Sequence, residues 1–453
     1  MAHGHHEIQF EASGLQMAGL TGRLVRLGLV LALAGGGGAA FLARAFAGSA
    51  AFYHAYLVAF LFFLGITLGA IFFVLLHHLT RAGWSVTVRR LAEGLAGNIY
   101  LMLLLALPLL AGLHELYEWI EPEFVSGDHI LRGKSAYLNE HALLLRLGLY
   151  FGVWIFLAWF FRSRSIRQDK TGDARLSKVL EKVSAPGMIA LGFTLSFAMF
   201  DLVMALNPHW FSTIFGVYMF AGMVLSFLAV VTLLALWLQR VGRVRQTITH
   251  EHYHDLGKMT FAFTFFWGYI AFSQYMLIWY ANMPEETQFF IPRQLGFWAV
   301  VGLILAACHL AIPFGGLLSR HAKRKLAIFS FWAVWLLLAH LLDLYWLVMP
   351  NLFIRQIPEL VAKQTGEKGL GLPEALSRLV VSNQHVYQLH PDFAAFGAQV
   401  NLPLSPACLL LTASLVAGMG GLYIISTAWC LRRAALIPLK DPRLPEALAF
   451  ENV

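Results

Sequence analysis

Residues 252–287 read HYHDLGKMTFAFTFFWGYIAFSQYMLIWYANMPEET. From Lys258 to Tyr280 the stretch is mostly apolar and aromatic, and it is long enough to cross the hydrocarbon core of a bilayer as one α-helix. Titratable residues precede it, and Glu285 and Glu286 follow it. The stretch therefore predicts a membrane-spanning helix with a titratable entrance and an acidic exit.

The same helix carries polar and aromatic side chains that a simple anchor would not need. Polar groups in hydrocarbon are costly, and they usually face a bundle interior or a water-filled path. One interpretation is that they hydrogen-bond to neighbouring helices, and the other is that they line a path for protons or a ligand. The residues in question are Thr260, Thr264, Tyr269, Ser273, Gln274 and Tyr275.

The composition extends the membrane prediction to the whole chain. Of the 453 residues, 58% are hydrophobic and 13% are charged, whereas a soluble domain is about 45–50% apolar and about 25% charged. Long apolar runs without an alternating pattern predict an all-α polytopic membrane protein and exclude a β-barrel. Ten spans are predicted, at about 24–46, 53–77, 88–112, 142–161, 187–206, 212–238, 258–280, 295–318, 326–348 and 405–430.

Lys and Arg residues are distributed unevenly among the predicted loops. If the N-terminus is cytoplasmic, 24 of the 33 lie on the cytoplasmic side and 8 on the opposite side. This bias predicts that both termini are cytoplasmic, and it accounts for the net charge of +8 without a nucleic-acid partner. The first span has some features of a signal peptide, but its length and Arg44 near its end favour a retained span.

Two predicted outer loops are long. Residues 113–141 are acidic and aromatic, and residues 349–404 have mixed charge and predict a short helix near Pro373–Ser382. Loops longer than about 15 residues are usually functional or disordered. Docking of a peripheral partner is therefore favoured over simple connection.

Several titratable residues fall inside predicted spans. Asp201 lies near the outer end of span 5, and His340 and Asp343 share one face of span 9 because they are three residues apart. A carboxylate in a low-dielectric site either finds a partner or takes up a proton, so these three are candidates for a proton relay or a quinol site. Other titratable residues in the spans have purely structural explanations as alternatives to a functional role, namely packing, interaction with the helix dipole or snorkelling. These residues are His54, His77, His78, Arg146 and His309.

The sequence lacks the usual cofactor motifs. Cys308, Cys408 and Cys430 are far apart, so they form neither a metal-binding spacing nor a disulfide framework. There is no covalent haem motif, no Fe–S cysteine cluster and no Walker A or Rossmann pattern, and the His residues do not form the facing pairs of a bis-His haem site. The glycine run Gly35–Gly38 lies within the first span and predicts close helix packing.

Four stretches resemble known membrane subunits. HYHDLGK at 252–258 and AFSQYMLIWYANMPEET at 271–287 resemble the signature of ActF-type subunits of bacterial alternative complex III, and PHWFSTIFGVY at 208–218 is a second match. FFLGITLGAIFF at 62–73 with HHLTRAGW at 77–84 resembles the wider NrfD-like family. The chain departs from the family pattern at Asn207, where an acidic residue is expected, and at Leu202, where a tryptophan is expected.

The resemblance implies an NrfD-like fold of ten transmembrane helices, in which spans 2–5 and spans 6–9 form two four-helix bundles and two helices are peripheral. The implied divisions are 1–46 for the cytoplasmic N-terminus and first span, 47–206 for the first bundle, 207–348 for the second bundle, 349–404 for a periplasmic loop, and 405–453 for the last span and cytoplasmic tail.

The resemblance also implies a subunit of a respiratory quinol:acceptor oxidoreductase in the bacterial inner membrane, where menaquinol or ubiquinol is oxidised on the outer side. The implied partners are a multihaem cytochrome c, an iron–sulfur subunit resembling molybdopterin enzymes, a larger NrfD-like paralogue and a terminal oxidase. Haem c and Fe–S clusters belong to those partners. This chain is expected to bind no metal and not to be catalytic in isolation.

The titratable groups then give two hypotheses about sites. A proton path through the second bundle, with a cytoplasmic entrance, has as candidates His252, His254, Asp255, Lys258, Gln274, Tyr275, His309, His340 and Asp343. A quinol pocket at the outer end of the first bundle, where a carboxylate and a histidine would accept quinol protons, has as candidates His54, His114, Glu115, Arg146 and Asp201.

Two hypotheses belong to other functional classes. Helices broken at mid-membrane would favour a stand-alone proton-coupled transporter, but Pro208 and Pro313 lie near the ends of spans. If the chain is purely a scaffold, replacing its buried acidic residues should affect only assembly.

Overall fold

The computed structural model of the protein describes residues 12–17, 19–367, 371–383 and 386–451. The first eleven residues of the predicted cytoplasmic N-terminus, and Lys368 among the predicted outer cations, lie outside the described residues. Ten helices in the described part are long and apolar enough to cross a membrane. The predicted all-α class and the predicted number of spans are therefore confirmed.

The spans are numbered in chain order. Span 1 ends in a π-helical segment, Ala43–Ala47, and span 8 contains another, Ala306–Ala311. Their bounds are Thr21–Leu42 (span 1), Gly48–Leu79 (span 2), Val86–Ala96 with Ile99–Ala111 (span 3), Glu140–Thr171 (span 4), Arg175–Leu202 (span 5), Phe215–Arg240 (span 6), His250–Ala281 (span 7), Phe297–Leu305 with Ile312–Leu318 (span 8), Leu326–Val348 (span 9) and Pro406–Leu431 (span 10).

Several helices extend beyond the apolar runs that predict them. Span 4 continues to Thr171 instead of ending near residue 161, and spans 5 and 7 begin at Arg175 and His250 instead of near residues 187 and 258. These extensions lie at the end of the molecule that holds the described N- and C-terminal segments, which we call the tail face. Hydropathy detects only the part of a helix that must be apolar, whereas its hydrogen bonds continue into a polar environment.

The opposite end, which we call the loop face, carries the two long connections. In the first, the Tyr117 hydroxyl donates to the Leu202 carbonyl at 2.9 Å and Trp119 Nε1 donates to the Ala205 carbonyl at 3.0 Å, which docks the connection on the end of span 5. The second contains the helix Leu372–Leu379, which confirms the predicted short helix except at residues 380–382, and an antiparallel hairpin of Val380–Asn383 and Val386–Leu389 that includes those three residues.

The remaining helical segments are short. They are Ala12–Leu15, Leu113–Leu116, Glu118–Ile120, Pro122–Gly127, His129–Lys134, Met204–Leu206, Pro284–Thr287, Pro292–Gln294, Arg320–Arg324, Asn351–Ile354, Ile357–Thr365, Pro391–Phe396, Gly397–Asn401, Leu402–Leu404 and Leu444–Leu448.

Spans 1 and 10 approach each other along a line of glycines. A Cβ on Gly35 would lie 2.3 Å from the Gly418 backbone nitrogen, and one on Gly28 would lie 2.6 Å from the Gly421 carbonyl oxygen. Only glycine permits backbones to come this close. Close packing is thus confirmed for Gly35, whereas Gly36 and Gly37 face open space because successive helical residues point in different directions.

Span 2 is the most enclosed helix. It contacts spans 3, 5, 6, 9 and 10, and span 6 contacts spans 2, 5, 7 and 9. Helices of the two predicted bundles therefore touch one another directly. The division of the spans into two four-helix bundles stays a prediction.

A buried ion network ties the tail face together. On span 3, Arg90 Nε lies 3.1 Å from Glu93 Oε2, and Arg90 also reaches Asp169 of span 4 at 2.8 Å. Arg89 pairs with Asp441 of the C-terminal segment. Glu93 follows Arg90 and Arg89 by three and four residues on the same helix, whereas Asp169 and Asp441 lie on other elements and cannot be assigned to these arginines from local sequence.

Candidate functional site

Asp343 lies in the interior of the helix assembly, and neutral donors hold its carboxylate. The Tyr218 hydroxyl of span 6 donates to Oδ1, and Trp267 Nε1 of span 7 donates to Oδ2 at 3.1 Å. His340 Nδ1 is 3.7 Å from Oδ2, which is too long for a hydrogen bond. Both His340 and Asp343 are only 1% exposed. The carboxylate is therefore stabilised by two hydrogen bonds but not by a fixed cation in direct contact.

Two histidines complete this group. The His309 ring of span 8 lies parallel to the His340 ring, with centroids 5.8 Å apart, and meets the Trp267 ring edge-on at 3.8 Å. All four ring nitrogens are buried and have no hydrogen-bond partner in the described part of the chain. Buried polar atoms without partners are rare and call for an explanation. We call Tyr218, Trp267, His309, His340 and Asp343 the buried cluster.

Local sequence explains how the two histidines reach this position. Pro313 lacks an N–H, so the His309 carbonyl cannot receive the usual helical bond. Span 8 is π-helical at Ala306–Ala311, a distortion that often marks functional sites. On span 6, a Cβ on Gly222 would lie 2.3 Å from His340 Cε1. A glycine at this position is thus required to accommodate the His340 ring.

The buried cluster can bind one proton and share it among its members. A carboxylate away from water needs either a nearby positive charge or a proton. His340 can supply that charge if it is protonated, and Asp343 can instead hold the proton itself. An imidazole accepts a proton at one nitrogen and donates one at the other. The parallel His309 and His340 rings thus offer two successive acceptors next to the acid.

The predicted entrance residues lie on the first turns of span 7 at the tail face. His252 is fully buried, and its Nδ1 lies 2.9 Å from the Thr249 hydroxyl in a helix-capping arrangement. Phe450 of the C-terminal segment lies beside its ring, and the backbone at Ala447 and Trp84 also interacts with the imidazole. Asp255 pairs with Lys258, whose side chain is half exposed. His254 is buried, and its Nδ1 has no hydrogen-bond partner in the described residues.

A line of buried hydroxyls continues from this end towards the buried cluster. Thr260 and Thr264 are fully enclosed, and both share the face of span 7 that leads from His252 to Trp267, about 22 Å along the axis. Their hydroxyls donate to the carbonyls of Leu256 and Thr260, each at 2.8 Å. Both hydroxyls thus donate within span 7 and not to neighbouring helices.

Further along span 7 the polar residues separate onto two faces. Gln274 is buried, two turns beyond Trp267. Tyr269 and Tyr275 are 58% and 37% exposed, so they do not line the interior as the sequence suggested. Two residues beyond Trp267 is more than half a helical turn, which places Tyr269 on the opposite side. The Tyr275 hydroxyl accepts a 3.4 Å bond from Gln294 and lies outside the buried cluster.

Among the predicted quinol-site residues, Asp201 and Arg146 form an ion pair. Arg146 Nε and Nη2 donate to the two carboxylate oxygens of Asp201 at 2.9 and 3.0 Å, and the Tyr150 hydroxyl donates at 2.8 Å. The guanidinium also stacks over the Tyr137 ring at 3.8 Å. Arg146 thus forms an ion pair within the protein and does not snorkel to the surface on its own. The Asp201 carboxylate is hydrogen-bonded by side chains of its own chain.

The other three quinol-site candidates lie in different surroundings. His54 is buried, and its Nδ1 bonds to the Ala50 carbonyl of its own helix at 2.8 Å. His114 is exposed and pairs with Glu121 at 2.7 Å, and this hydrogen bond raises the pKa of His114. Glu115 accepts from Ser49 at 2.7 Å. No hydrogen bond or ion pair among the described residues joins these three to Asp201, so the structure does not favour a single pocket made from all five.

A titratable contact joins the first long connection to the turn between spans 5 and 6. His209 Nε2 lies 2.5 Å from Asp128 Oδ2. Burial raises the pKa of Asp128, but the bonds from His209, Leu131 and Ile130 outweigh it and hold the pKa below its ordinary value. Because the pKa of Asp128 is lower in the folded protein than in the unfolded chain, the contact stabilises the fold at pH values above the ordinary carboxyl pKa. This stabilisation is lost as the pH falls through the pKa of Asp128 in the folded protein.

We therefore expect the amide protection factors of His129–Lys134, which are exchange rates corrected for the intrinsic effect of pH, to fall on acidification through the carboxyl range. The Asp128→Asn variant should have lower protection factors than the wild type at neutral pH and should lose most of this pH dependence. Protection factors that fall equally in both proteins would show that the carboxylate does not anchor this helix.

Tyr218 and Trp267 belong to the site but are not predicted from the sequence. Each lies on a span without a carboxylate at that depth, and aromatic residues there are ordinarily packing residues. Tyr218 lies three residues from the loop-face end of span 6 and Asp343 five residues from that of span 9, so their depths match, whereas Trp267 lies 14 residues from the loop-face end of span 7 and depth gives no signal for it. Which way each helix is rotated, however, cannot be obtained from that count.

No protein-family model matches the chain, and no curated protein is significantly similar to it. In the described residues, no group of three or more His, Cys, Asp or Glu side chains is placed to hold a metal ion. The expectation that this chain binds no metal stays a prediction.

Proposed function

We propose that this chain is the membrane subunit of a respiratory quinol:acceptor oxidoreductase similar to alternative complex III, and that spans 6–9 carry a proton path. The observation that supports the path most directly is the buried cluster. Asp343 receives hydrogen bonds only from neutral donors among the described residues, and four imidazole nitrogens beside it have no partner. Intramembrane titratable residues in such an arrangement are typical of proton relays.

In this proposal a proton enters at the tail face, which is the cytoplasmic side. His252, His254, Asp255 and Lys258 exchange protons with water there, and water molecules ordered by the Thr260 and Thr264 side of span 7 conduct them inwards. His309 and His340 accept the proton in turn, and Asp343 holds it against Tyr218 and Trp267. Gln274 lies on the loop-face side of the cluster.

The assembly part of the proposal rests on the sequence resemblance and on the form of the loop face. Quinol is oxidised on the outer side, where the multihaem cytochrome c and iron–sulfur subunits dock, and the larger NrfD-like paralogue lies beside this chain in the bilayer. The first long connection supports docking of a partner because Tyr117 and Trp119 fix it to the end of span 5, so it presents an ordered surface. Tail-face cations support a cytoplasmic location for both termini.

Purification from native membranes tests the assembly. A tagged copy of the chain, extracted in mild detergent, is expected to co-elute with haem c absorbance and with quinol-dependent reduction of a soluble acceptor. A stand-alone transporter would instead elute as this polypeptide alone. A tagged, unrelated inner-membrane protein of similar size is the control for non-specific recovery of haem proteins.

A further inference from the structure

Arg293 is a buried cation in the turn Pro292–Gln294, between spans 7 and 8. Its guanidinium donates to three carbonyl oxygens, namely Phe289 at 2.6 Å, Leu347 at 2.7 Å and Trp346 at 3.2 Å. The Phe289 ring stacks on it at 3.8 Å. The side chain is about 1% exposed, and no carboxylate pairs with it in the part of the chain that the structure describes.

This guanidinium lies on the loop-face side of the buried cluster. The Leu347 carbonyl is four residues beyond Asp343 on span 9, which is about 6 Å further along the helix axis. On the other side, Phe289 stacks on Trp210 at 4.0 Å, and the Trp210 ring meets Phe215 at 5.8 Å. Phe215 in turn stacks against Tyr218 at 6.0 Å. Arg293 and this aromatic layer thus separate Asp343 from the loop face.

The buried guanidinium retains its charge at neutral pH. Burial lowers the pKa of Arg293 to about 9, and the nearby Tyr218 phenol partly opposes that change. Removing a charge from water without a counter-ion is costly, and the three carbonyls supply only partial compensation. The carbonyls at the end of span 9 accept these hydrogen bonds, and the helix dipole there favours a cation. These interactions hold the positive charge in place at the loop-face end of span 9.

We infer that Arg293 is an electrostatic barrier that limits the return of protons from the loop face to Asp343. The inference rests on the proposed proton path. A fixed positive charge in a low-dielectric constriction repels an approaching proton, as arginines do in pores that exclude cations. Arg293 would thus slow passive proton transfer between Asp343 and the loop face in both directions, without itself carrying the proton.

The test uses the whole complex reconstituted in liposomes, with a pH gradient imposed across the membrane and no quinol present. Arg293→Gln keeps donors for the carbonyls but removes the charge, so we expect passive proton leak to rise about tenfold or more above that of the wild type. Arg355→Gln is the matched control, because Arg355 is also on the loop face but pairs with Glu118 at 2.8 Å. Its leak should equal that of the wild type.

The double variant Arg293→Gln with Asp343→Asn distinguishes a barrier from damaged packing. If leaked protons pass through Asp343, the second substitution restores the low wild-type leak, whereas a packing defect remains leaky and overturns the inference. An unchanged leak in Arg293→Gln also overturns it. If Asp343→Asn alone still lowers the proton-to-electron ratio, the proposed proton path remains supported even though the barrier is not.

If Arg293→Gln does not assemble, Arg293→Lys provides the second measurement. A buried lysine loses its proton far more readily than arginine, and Tyr218 is the titratable group whose charge acts on this position. The barrier predicts a leak in the Lys variant that rises above that of the wild type as pH increases. Identical leak in both proteins over the whole pH range would contradict it.

Discussion

Replacing Asp343 with asparagine is expected to lower the proton-to-electron ratio of the reconstituted complex to the value set by quinol chemistry alone. The isosteric amide cannot bind or release a proton, so transfer through spans 6–9 should fall by roughly 100-fold, which is the lower end of acid–base effects. The fold should persist. The amide oxygen can accept from Trp267, and the Tyr218 hydroxyl can rotate to accept from the amide nitrogen.

The matched control is Asp201→Asn. Asp201 is also buried, but its carboxylate is neutralised by Arg146 at 2.9 Å, so its loss should reduce stability without changing the proton-to-electron ratio. His340→Ala should lower the ratio as Asp343→Asn does. If Asp343→Asn assembles, oxidises quinol and translocates protons with the wild-type ratio, the buried cluster is not the relay, and the scaffold hypothesis gains support.

Replacing Asp441 with alanine is expected to destabilise the protein by about 3–5 kcal/mol, the usual effect of breaking a buried ion pair. The side chains of Asp441 and its partner Arg89 are only 4% and 3% exposed. Asp441 also accepts a 2.9 Å bond from the Arg443 backbone N–H, which holds the turn in place. Denaturant unfolding in detergent measures the loss of stability, and limited proteolysis should release the segment 432–451 sooner than in the wild type.

Glu451→Ala is the control in the same segment. Glu451 is exposed, so its removal should leave both stability and proteolysis unchanged. Asp441→Asn should have an intermediate effect, since it keeps the bond from the Arg443 N–H while losing the charge. Equal stability of Asp441→Ala and Glu451→Ala would mean that Arg89 is satisfied by Glu93, 3.7 Å away, without Asp441.

Local features of the sequence predict the spans and part of the site. Hydropathy identifies ten helices because each must be apolar over its membrane-crossing length. The three-residue spacing of His340 and Asp343 correctly predicts that they share a helix face, and both are buried. Gly35 correctly predicts a close helix contact.

The contacts between helices could not be predicted in the same way. Tyr218, Trp267 and His309 join Asp343 from three other spans, and only the rotation of each helix decides which residues meet. The same uncertainty explains the error at Tyr269, which is polar but faces outwards. The opposite case is Arg293, which counts as an ordinary loop cation in the sequence yet is fully buried in the fold.

Infrared difference spectroscopy of the working complex detects protonation changes at Asp343 itself. If Asp343 relays protons, the protonated-carboxyl C=O band of this residue should change during quinol oxidation, shift in deuterium oxide, and disappear in Asp343→Asn while persisting in Asp201→Asn. A turnover difference spectrum that is identical in the wild type and in Asp343→Asn would contradict the account, because the carboxyl group would then keep one protonation state throughout.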